Sequence, residues 1–538
     1  MIRPFGGGCE VRRGVLHEIL FDAAWKHGTT ELVSDQVRIT YAEAWERAVK
    51  AAHAMQAMGI GRGDVIGILD VNSHQAFELH YAASMLGAIA HPLNFRLPLN
   101  QLVHMVRQGQ DRILFANRAM ASVVKALSPL VHHIVWLGEG PADDEGAARG
   151  LAELEYEEFL SGAEAGSTPD AGVIDADPYS LLHTTGTTGH PKAMRYRHRD
   201  IVQAPLQIAH HLALHQTGAK LTSDDVVMPL IPFFHIHAWG APIFAPYLGL
   251  KLVLPGRATP TQQIRLIEAE GVTWSNMVPT QLLMLLDAMN NEGKSELRFK
   301  VLTGGSQLPL GLASRAYEAG IRYSVIYGGS DQLCAAVTVS AHTAGSRDNL
   351  EALSSRLVPI PMVRMSIRGE DGGELPADGH SAGELWVESP WLPDGYVGDE
   401  PATKSSYVDG WFRTGDLAVA HRDGTFTVVD RVKDAIKSGG EWIIPSVLES
   451  LLSEIAGVRM AAVIGRPDER WGERPIAILA AEESFDASTV KRHLEKAVED
   501  GRLARFWLPD AIHLVDDLPL TSAGKVNKAE LRLRFAET

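Results

Sequence analysis

The sequence predicts an α/β protein with a large N-terminal domain at 1–432, made of two doubly wound α/β lobes plus a small β subdomain, and a small α+β C-terminal domain at 433–538. Three observations support this prediction. Helix and strand patterns alternate from Thr40 to Met277. Short β runs punctuated by Gly and Asp follow between Gly383 and Val429. From about Lys433 the pattern changes to a compact unit of ordinary domain size.

Length and composition favour a soluble enzyme. A chain of 538 residues is too long for one compact core, and its formal net charge of -16 argues against nucleic acid or an anionic membrane as the main partner. Cys9 and Cys334 offer neither a disulfide framework nor a thiolate zinc site. The N-terminus has no apolar signal region, and the apolar run Ala238 to Leu250 is too short to span a bilayer. We therefore expect a cytoplasmic protein without an integral membrane segment.

The first lobe is predicted from its caps and apolar runs. Thr40 and Glu43 form a capping box at the start of a helix that ends at Gly59. The patterns that follow are a strand at Val65 to Leu69, a helix capped by Asn72 or Ser73, strands at Gly87 to Ala90 and Ile113 to Phe115, and a helix at Leu151 to Phe159. The segment GIGRGD is similar to a dinucleotide loop, but it follows a helix and precedes a strand, which is the reverse of the required order.

The second lobe repeats the alternation. It has predicted strands at Asp225 to Pro232, Lys251 to Leu254 and Val272 to Met277, and a helix at Pro260 to Glu270. His210, His211 and His215 have near-helical spacing and could ligate a metal. Because no carboxylate or Cys partner accompanies them, a solvated helix face is the preferred interpretation.

The stretch from Leu181 to Asp200 carries the strongest chemical signal. Its glycines allow positive φ and its threonines add hydroxyl donors, so the run predicts a polyphosphate-binding loop rather than a plain surface turn. The run comprises Thr184, Thr185, Gly186, Thr187, Thr188 and Gly189. It is not the loop of P-loop NTPases, because Pro191 stands where the second Gly would be and Ala193 where the magnesium-binding hydroxyl would be.

This stretch resembles the signature TSGTTGxPKG of the adenylate-forming superfamily, which includes acyl-CoA synthetases, luciferases and peptide-synthetase adenylation domains. KDAIKSGGEW and HPLNFRL are most similar to its medium- and long-chain fatty acyl-CoA synthetase branch. The resemblance implies that a carboxylate attacks the α-phosphate of ATP to give an acyl-adenylate and pyrophosphate. It implies ATP, Mg²⁺ and CoA as cofactors, and it adds Lys192 to the run of threonines and glycines as an ATP-binding residue.

Further motifs of the family imply nucleotide and metal roles. Tyr327, Gly328, Gly329, Ser330 and Asp331 stand where the family has YGxTE, which supplies an adenine-stacking ring, a phosphate-binding hydroxyl and a magnesium carboxylate. Asp331 is one methylene shorter than the usual Glu. The remaining implied contacts are Gly304, Gly305 and Ser306 beside adenine, Asp416 and Arg431 on the ribose, Thr187 with Asp331 on the metal, and Lys525 as the cation on the carboxylate and α-phosphate.

The resemblance also implies an acid pocket, a CoA site and a hinge. His235 and Trp239 would line the acid channel, with room left by Gly305, Gly328 and Gly329. On a strand His235 and His237 would share a face, but a metal site lacks a third ligand. Catalytic roles fall to Lys525, His235 and Asp331. The CoA contacts would be Lys437, Ser438, Gly439, Gly440 and Trp442, and Lys433 would be the hinge that makes the C-terminal domain mobile.

We therefore expect an ATP-dependent, AMP-forming acid:CoA ligase that acts on a medium- or long-chain fatty acid or a related hydrophobic acid. Three alternatives stay open: an adenylating enzyme that passes its acyl group to an amine or carrier protein, an aryl or cyclic acid:CoA ligase, and a non-enzymatic nucleotide-binding relative, which Asp331 makes conceivable. The sequence does not identify which carboxylic acid is the substrate. Relatives of this branch are often homodimers, so a homodimer also stays open.

Overall fold

The computed structural model describes residues 14–35, 37–138, 153–163, 166–169, 171–184, 190–338, 350, 353–439, 441–482, 485–521 and 524–535. These residues form three sheets with helices packed on them, which confirms the predicted α/β class. Within these ranges no helix is long and apolar enough to cross a membrane.

The described chain starts with helix α1 (His17–Lys26), a hairpin of β1 (Glu31–Ser34) and β2 (Val37–Thr40), and helix α2 (Tyr41–Ala57). The predicted capping box is confirmed. The Thr40 hydroxyl accepts from the Glu43 N–H at 3.2 Å, and the Glu43 carboxylate accepts from the Thr40 N–H at 2.7 Å. Two backbone donors of the first turn are thereby satisfied.

The first lobe consists of β3 (Val65–Leu69), α3 (His74–Leu86), β4 (Ile89–Pro92), α4 (Leu99–Gly109), β5 (Ile113–Asn117), α5 (Ala121–Leu127), β6 (His133–Leu137), β7 (Glu153–Glu155), α6 (Tyr156–Ser161), β8 (Pro178–His183) and β9 (Ala193–Arg197). Its seven-stranded sheet has the order β7-β6-β5-β3-β4-β8-β9 and is parallel except between β8 and β9. The helix predicted from Leu151 is wrong at its start, because Glu153–Glu155 pair with β6 and the helix begins only at Tyr156.

The second lobe consists of α7 (His198–Leu214), β10 (Val226–Pro229), α8 (Ala241–Leu248), β11 (Lys251–Leu254), α9 (Pro260–Glu270), β12 (Trp274–Met277), α10 (Pro279–Asn291), β13 (Lys300–Gly304), α11 (Leu310–Glu318), β14 (Arg322–Gly329) and β15 (Leu333–Thr338). Strands β10 to β14 are parallel. The hairpin β1–β2, which precedes the first lobe in the chain, adds two strands to the edge of this sheet, because Leu32 of β1 pairs with Leu252 of β11. A solvated helix face was predicted for His210, His211 and His215, and this is wrong for His211, which is buried in α7.

The β part consists of β16 (Leu357–Pro359), β17 (Arg364–Arg368), β18 (Ala382–Glu388), α12 (Glu400–Ser406), β19 (Tyr407–Val408), β20 (Trp411–Ala420) and β21 (Phe426–Arg431). These strands pair antiparallel. Strand β16 joins them to the second lobe's sheet, because it pairs with β15 on one side and, through the single pair Leu357–Phe426, with β21 on the other. Fourteen strands thus form one sheet. Thirteen of them follow one another in a continuous order, and β19 is attached through its pairing with β20.

The C-terminal elements are β22 (Ile436–Ser438), β23 (Glu441–Ile443), α13 (Pro445–Ser453), β24 (Val458–Asp468), β25 (Gly472–Ala481), α14 (Ser488–Glu499), β26 (Ala511–Val515) and α15 (Lys528–Phe535). They form a separate five-stranded sheet with its own apolar core, which includes Leu448 and Leu479. The Gly311 N–H, at the start of α11, donates to the Ser453 hydroxyl at 3.2 Å, so this unit docks on the second lobe. The boundary at residue 433 stays a prediction.

Candidate active site

The ends of β13 and β14 and the turn before α15 meet at Gly305. Gly305 has φ +83°, and a Cβ built on it would lie 3.6 Å from Lys525 Cε and 4.0 Å from Trp239 Cζ2. Gly304, one residue earlier, lies against β14, where a Cβ would come within 2.3 Å of the Ile326 carbonyl oxygen. Both positions therefore need glycine, one for its backbone conformation and one for close strand approach. The exposed Ser306 follows them.

Asp416 is a buried acceptor of the site with two side-chain partners. Its Oδ2 accepts from the Tyr327 hydroxyl at 2.5 Å, and its Oδ1 lies 2.7 Å from Arg431 Nε. The Asp416 N–H in turn donates to the Thr414 hydroxyl at 3.0 Å. The carboxylate of Asp416 is the main reason that the pKa of Arg431 is raised. Each carboxylate oxygen keeps a further lone pair, so the group can still accept from a diol.

Asp331 lies in a pocket of tyrosine hydroxyls. Tyr396 donates to Asp331 Oδ1 at 2.6 Å, Tyr407 donates to the Asp331 carbonyl at 2.8 Å, and Tyr196 donates to the carbonyl of Ser330. Burial raises the pKa of Asp331, and the Tyr396 hydrogen bond and the charge of Arg431 oppose that shift. Tyr196 lies in the stretch from Leu181 to Asp200, but nothing in the sequence pointed to its hydroxyl as a contact, and Tyr396 and Tyr407 lie outside every motif.

Lys525 reaches the site from a tight turn. The Thr521 N–H donates to the Lys525 carbonyl at 2.7 Å, and the Thr280 hydroxyl of α10 donates to the Gly524 carbonyl at 2.7 Å. The pKa of Lys525 is lowered to about 8, chiefly by burial and also by the charge of Arg431, while the charge of Asp416 opposes the shift. The structure thus brings together Lys525, Arg431 and Asp416, which lie far apart in the chain.

The two flanks of the predicted phosphate loop are joined. The Thr184 N–H donates to the Lys192 carbonyl at 2.9 Å, and the Lys192 N–H donates to the Thr184 hydroxyl at 3.0 Å. The Lys192 ammonium lies 4.5 Å from the centre of the Tyr396 ring, on the side of the site that holds Asp331. The predicted ligands Thr185, Gly186, Thr187, Thr188 and Gly189 lie outside the described residues.

An apolar cavity with about 520 Å³ of empty space, its opening included, adjoins Gly305. Trp239, Gly305 and Gly328 line it as predicted for the acid pocket, whereas His235 and Gly329 are not part of the lining and His237 is. The other lining side chains come mainly from α7, α8 and β15 and include Ile201, Pro205, Ile243, Leu333 and Cys334.

The strand expected at His235 and His237 is wrong. Residues Ile236–Trp239 form a left-handed turn with φ between 47° and 53°, which points the two histidines to different surroundings. His237 Nε2 lies 2.8 Å from Ser180 Oγ. His235 is enclosed, and burial together with the charges of Lys525 and Arg96 lowers its pKa to about 3, so it is neutral at physiological pH. Among the described residues, no three His, Cys, Asp or Glu side chains form a metal site.

The predicted CoA stretch lies within the C-terminal unit. Lys437, Ser438 and Trp442 belong to the β22–β23 hairpin, and Gly439 is in its turn rather than in a strand, with its N–H donating to the Trp471 carbonyl at 2.8 Å. Gly440 lies outside the described residues. Lys433 is in the turn that follows β21. The structure therefore brings Lys525, and not the predicted CoA stretch, to Gly305.

Comparisons with known proteins agree with this geometry. The profile of the AMP-binding enzyme family matches residues 21–397, and that of the AMP-binding enzyme C-terminal domain matches residues 447–525. The chain is 35% identical to a long-chain-fatty-acid–CoA ligase of Thermus thermophilus, over 97% of this chain and 95% of that protein. It is 33% identical to a 3-methylmercaptopropionyl-CoA ligase of Ruegeria lacuscaerulensis, over 97% of both. Its fold matches that of the anthranilate CoA ligase AuaEII in complex with anthranoyl-AMP, with a TM-score of 0.85 at 22% identity over 97% of both chains.

Proposed function

The chain belongs to the AMP-binding enzyme family, and from this premise we propose that it is an ATP-dependent, AMP-forming acid:CoA ligase for a hydrophobic carboxylic acid. The single observation that carries the proposal is the meeting of Lys525, Asp416 and Gly305 at one end of an apolar cavity. A cation, a ribose acceptor and an apolar tail pocket are the parts that acid adenylation needs.

Each part of the site has a role in adenylation. The acid places its tail among apolar side chains and its carboxylate beside Gly305, where one carboxylate oxygen attacks the α-phosphate and pyrophosphate leaves. Lys525 stabilises the negative charge that develops there, because a preorganised cation in a dry site acts strongly. Asp416 accepts from the ribose hydroxyls through its remaining lone pairs. Tyr327, held by its hydroxyl on Asp416, presents its ring face to adenine.

The carboxylate of Asp331 fits a magnesium ion. Mg²⁺ is commonly bound by one or two carboxylates together with substrate phosphates and waters, and Asp331 is a partly buried carboxylate whose Oδ1 already accepts from Tyr396. We propose that Asp331 and Thr187 hold it, and that the bound ion neutralises phosphate charge. Ser330 and Lys192 contact the same phosphates in this proposal.

We propose that CoA is used in a second step, in a different orientation of residues 433–538. The hairpin that holds Lys437, Ser438, Gly439 and Trp442 is turned toward its own unit while Lys525 occupies the site, and Gly440 is assigned to the CoA contacts with them by its motif. One small domain cannot present both at once, so it rotates at Lys433 between adenylation and thioester formation. The free, buried Cys334 fits a reducing cytoplasm, where we place the reaction.

A screen of acids tests the function. AMP release is measured with ATP, Mg²⁺ and CoA for straight-chain, branched and aryl acids. Release that requires both an acid and CoA supports the proposal. Acid-dependent pyrophosphate exchange without CoA-dependent AMP release would instead assign an amine or carrier protein as the acceptor, and the absence of exchange with every acid would overturn the proposal.

The two half-reactions test the domain rotation. Lys525→Ala should slow acid-dependent pyrophosphate exchange by about 10² to 10³, as when one preorganised donor is lost, yet convert supplied acyl-adenylate and CoA to thioester at near the wild-type rate. Gly440→Leu should do the opposite, because a side chain there would fill the approach of the thiol. Equal loss in both assays for Lys525→Ala would contradict the rotation while leaving the enzyme class intact.

A further inference from the structure

A second, narrow space shares part of its lining with the acid pocket. Its empty space of about 260 Å³ includes its opening to solvent, and its interior has room for about one water molecule. It is lined by aromatic and apolar side chains, among them Leu16 of the segment before α1 and Phe77 and His80 of α3. Within the described part of the chain, the two linings have two residues in common, His237 and Ile243. These two side chains therefore separate the acid pocket from the space behind it.

His237 is held firmly in this partition. Its backbone is left-handed, with φ 47° and ψ 53°, a conformation that non-glycine residues adopt at a cost. Its Nε2 lies 2.8 Å from the hydroxyl of Ser180, which has no exposed surface, and its ring packs edge-on against His80 at 4.7 Å between centroids. A hydrogen bond, a ring contact and a fixed backbone thus act on one side chain, which keeps the partition closed.

The position of Gly305 in the pocket sets the direction of the acid. Gly305 lines the pocket and lies beside Lys525, so the reacting carboxylate belongs there. The tail then extends between α7 and β15, past Pro205 and Leu333, toward the partition. An acid of increasing length then meets His237 and Ile243, and only the narrow apolar space lies on their other side.

We propose that His237 and Ile243 form the end wall of the acid pocket and limit the substrate to acids whose apolar tail stops short of the second space. The proposal rests on the proposed function, because it assigns the tail of the activated acid to this pocket. It narrows the substrate class to short- and medium-length acids with an apolar end.

Opening the wall from either side should extend the range of acids. His237→Gly removes the side chain and also suits the left-handed backbone, and Ile243→Ala opens the same wall from α8. The assay is acid-dependent pyrophosphate exchange with straight-chain acids from butanoate to hexadecanoate. In both variants the longest acid accepted should become longer, and the ratio of kcat/KM for that acid over hexanoate should rise about tenfold for every two further methylenes that become buried.

Leu16→Ala is the matched control, because Leu16 lines only the second space. Alone, it should leave the acid profile unchanged, since the closed wall keeps the tail out. Combined with His237→Gly, it should extend the profile beyond that of His237→Gly. This non-additivity is expected only if the wall separates the two spaces.

The possible results distinguish a failure of the proposed end wall from a failure of the proposed function. If the wild type exchanges pyrophosphate with hexanoate or octanoate but both opened variants keep its acid profile with unchanged far-UV circular dichroism, the wall is overturned and the function stands. A shift of the profile by Leu16→Ala alone would also overturn it. If the wild type exchanges pyrophosphate with no acid, the proposed function itself fails.

Discussion

The adenylation half-reaction should lose rate at alkaline pH because Lys525 loses its proton there. Burial lowers the pKa of this ammonium from 10.5 to about 8 in the folded protein, so Lys525 is a cation below pH 8 and becomes neutral as the pH rises through that value. At about pH 9.5 only about 3% of it would remain protonated, which predicts a loss of about thirtyfold in kcat/KM for ATP.

The two kinetic parameters, kcat/KM and kcat, report the pKa of Lys525 in different forms of the enzyme. The pH profile of kcat/KM reports groups of the free enzyme, whereas kcat reports the substrate complex. Bound phosphates favour the ammonium form, so the alkaline limb of kcat should lie at higher pH than that of kcat/KM.

Lys525→Arg supplies the decisive comparison. A guanidinium stays protonated throughout this range, so the variant should be slower at pH 7 but should lack the alkaline limb. The assay is acid-dependent pyrophosphate exchange from about pH 6.5 to about pH 9.5, and thioester formation from supplied acyl-adenylate serves as the control that should not fall. A flat wild-type profile, or the same limb in Lys525→Arg, would refute the assignment of Lys525 as the working cation.

Four further substitutions test other parts of the site. Asp416→Ala should weaken ATP binding far more than acid binding, by about 1.5 to 3 kcal/mol for each lost hydrogen bond to the charged acceptor, in parallel titrations of both ligands; equal weakening would contradict the ribose role. Asp331→Ala should raise the Mg²⁺ concentration needed for half-maximal exchange, and an unchanged titration would remove Asp331 from the metal site. Gly311→Ala places a Cβ 1.9 Å from the Ser453 carbonyl oxygen, so α13 must shift and adenylation should slow about tenfold, as overpacking typically costs about 1–3 kcal/mol, while thioester formation is spared; loss in both half-reactions would argue against a role limited to this orientation. Trp239→Ala should change the preference among acids and leave the ATP KM nearly untouched, whereas an unchanged acid profile would return Trp239 to a packing role.

Local physical chemistry made several elements readable from the sequence. Three elements depend on side chains within a few residues of one another: the Thr40–Glu43 capping box, strand Lys251–Leu254 and helix Pro260–Glu270. Capping residues, hydrophobic periodicity and β-branched runs were therefore sufficient to predict them. The glycine at position 305 was likewise marked by its motif, because the turn it occupies needs a positive φ.

Other features depended on partners far away in the chain. Strand β1 pairs with β11 across more than two hundred residues, and Glu153–Glu155 became a strand because the edge of β6 offered hydrogen bonds. The left-handed turn at Ile236–Trp239 overrode the strand expected there. Hydrophobic periodicity and capping residues within one stretch cannot predict such pairings, because the pairings depend on which surfaces pack together when the whole chain folds.

The sequence by itself determined which chemical groups the protein carries, because the glycines and threonines proposed to bind phosphate, the carboxylate at 416 and the lysine at 525 each lie in a short motif. Only the tertiary structure decided their surroundings. It placed Tyr396 and Tyr407 on Asp331, tied Tyr327 to Asp416, and put His237 and Ile243 in the lining of two apolar spaces. Residue identity and spacing are local properties, whereas burial, hydrogen-bond partners and pocket length arise from long-range packing.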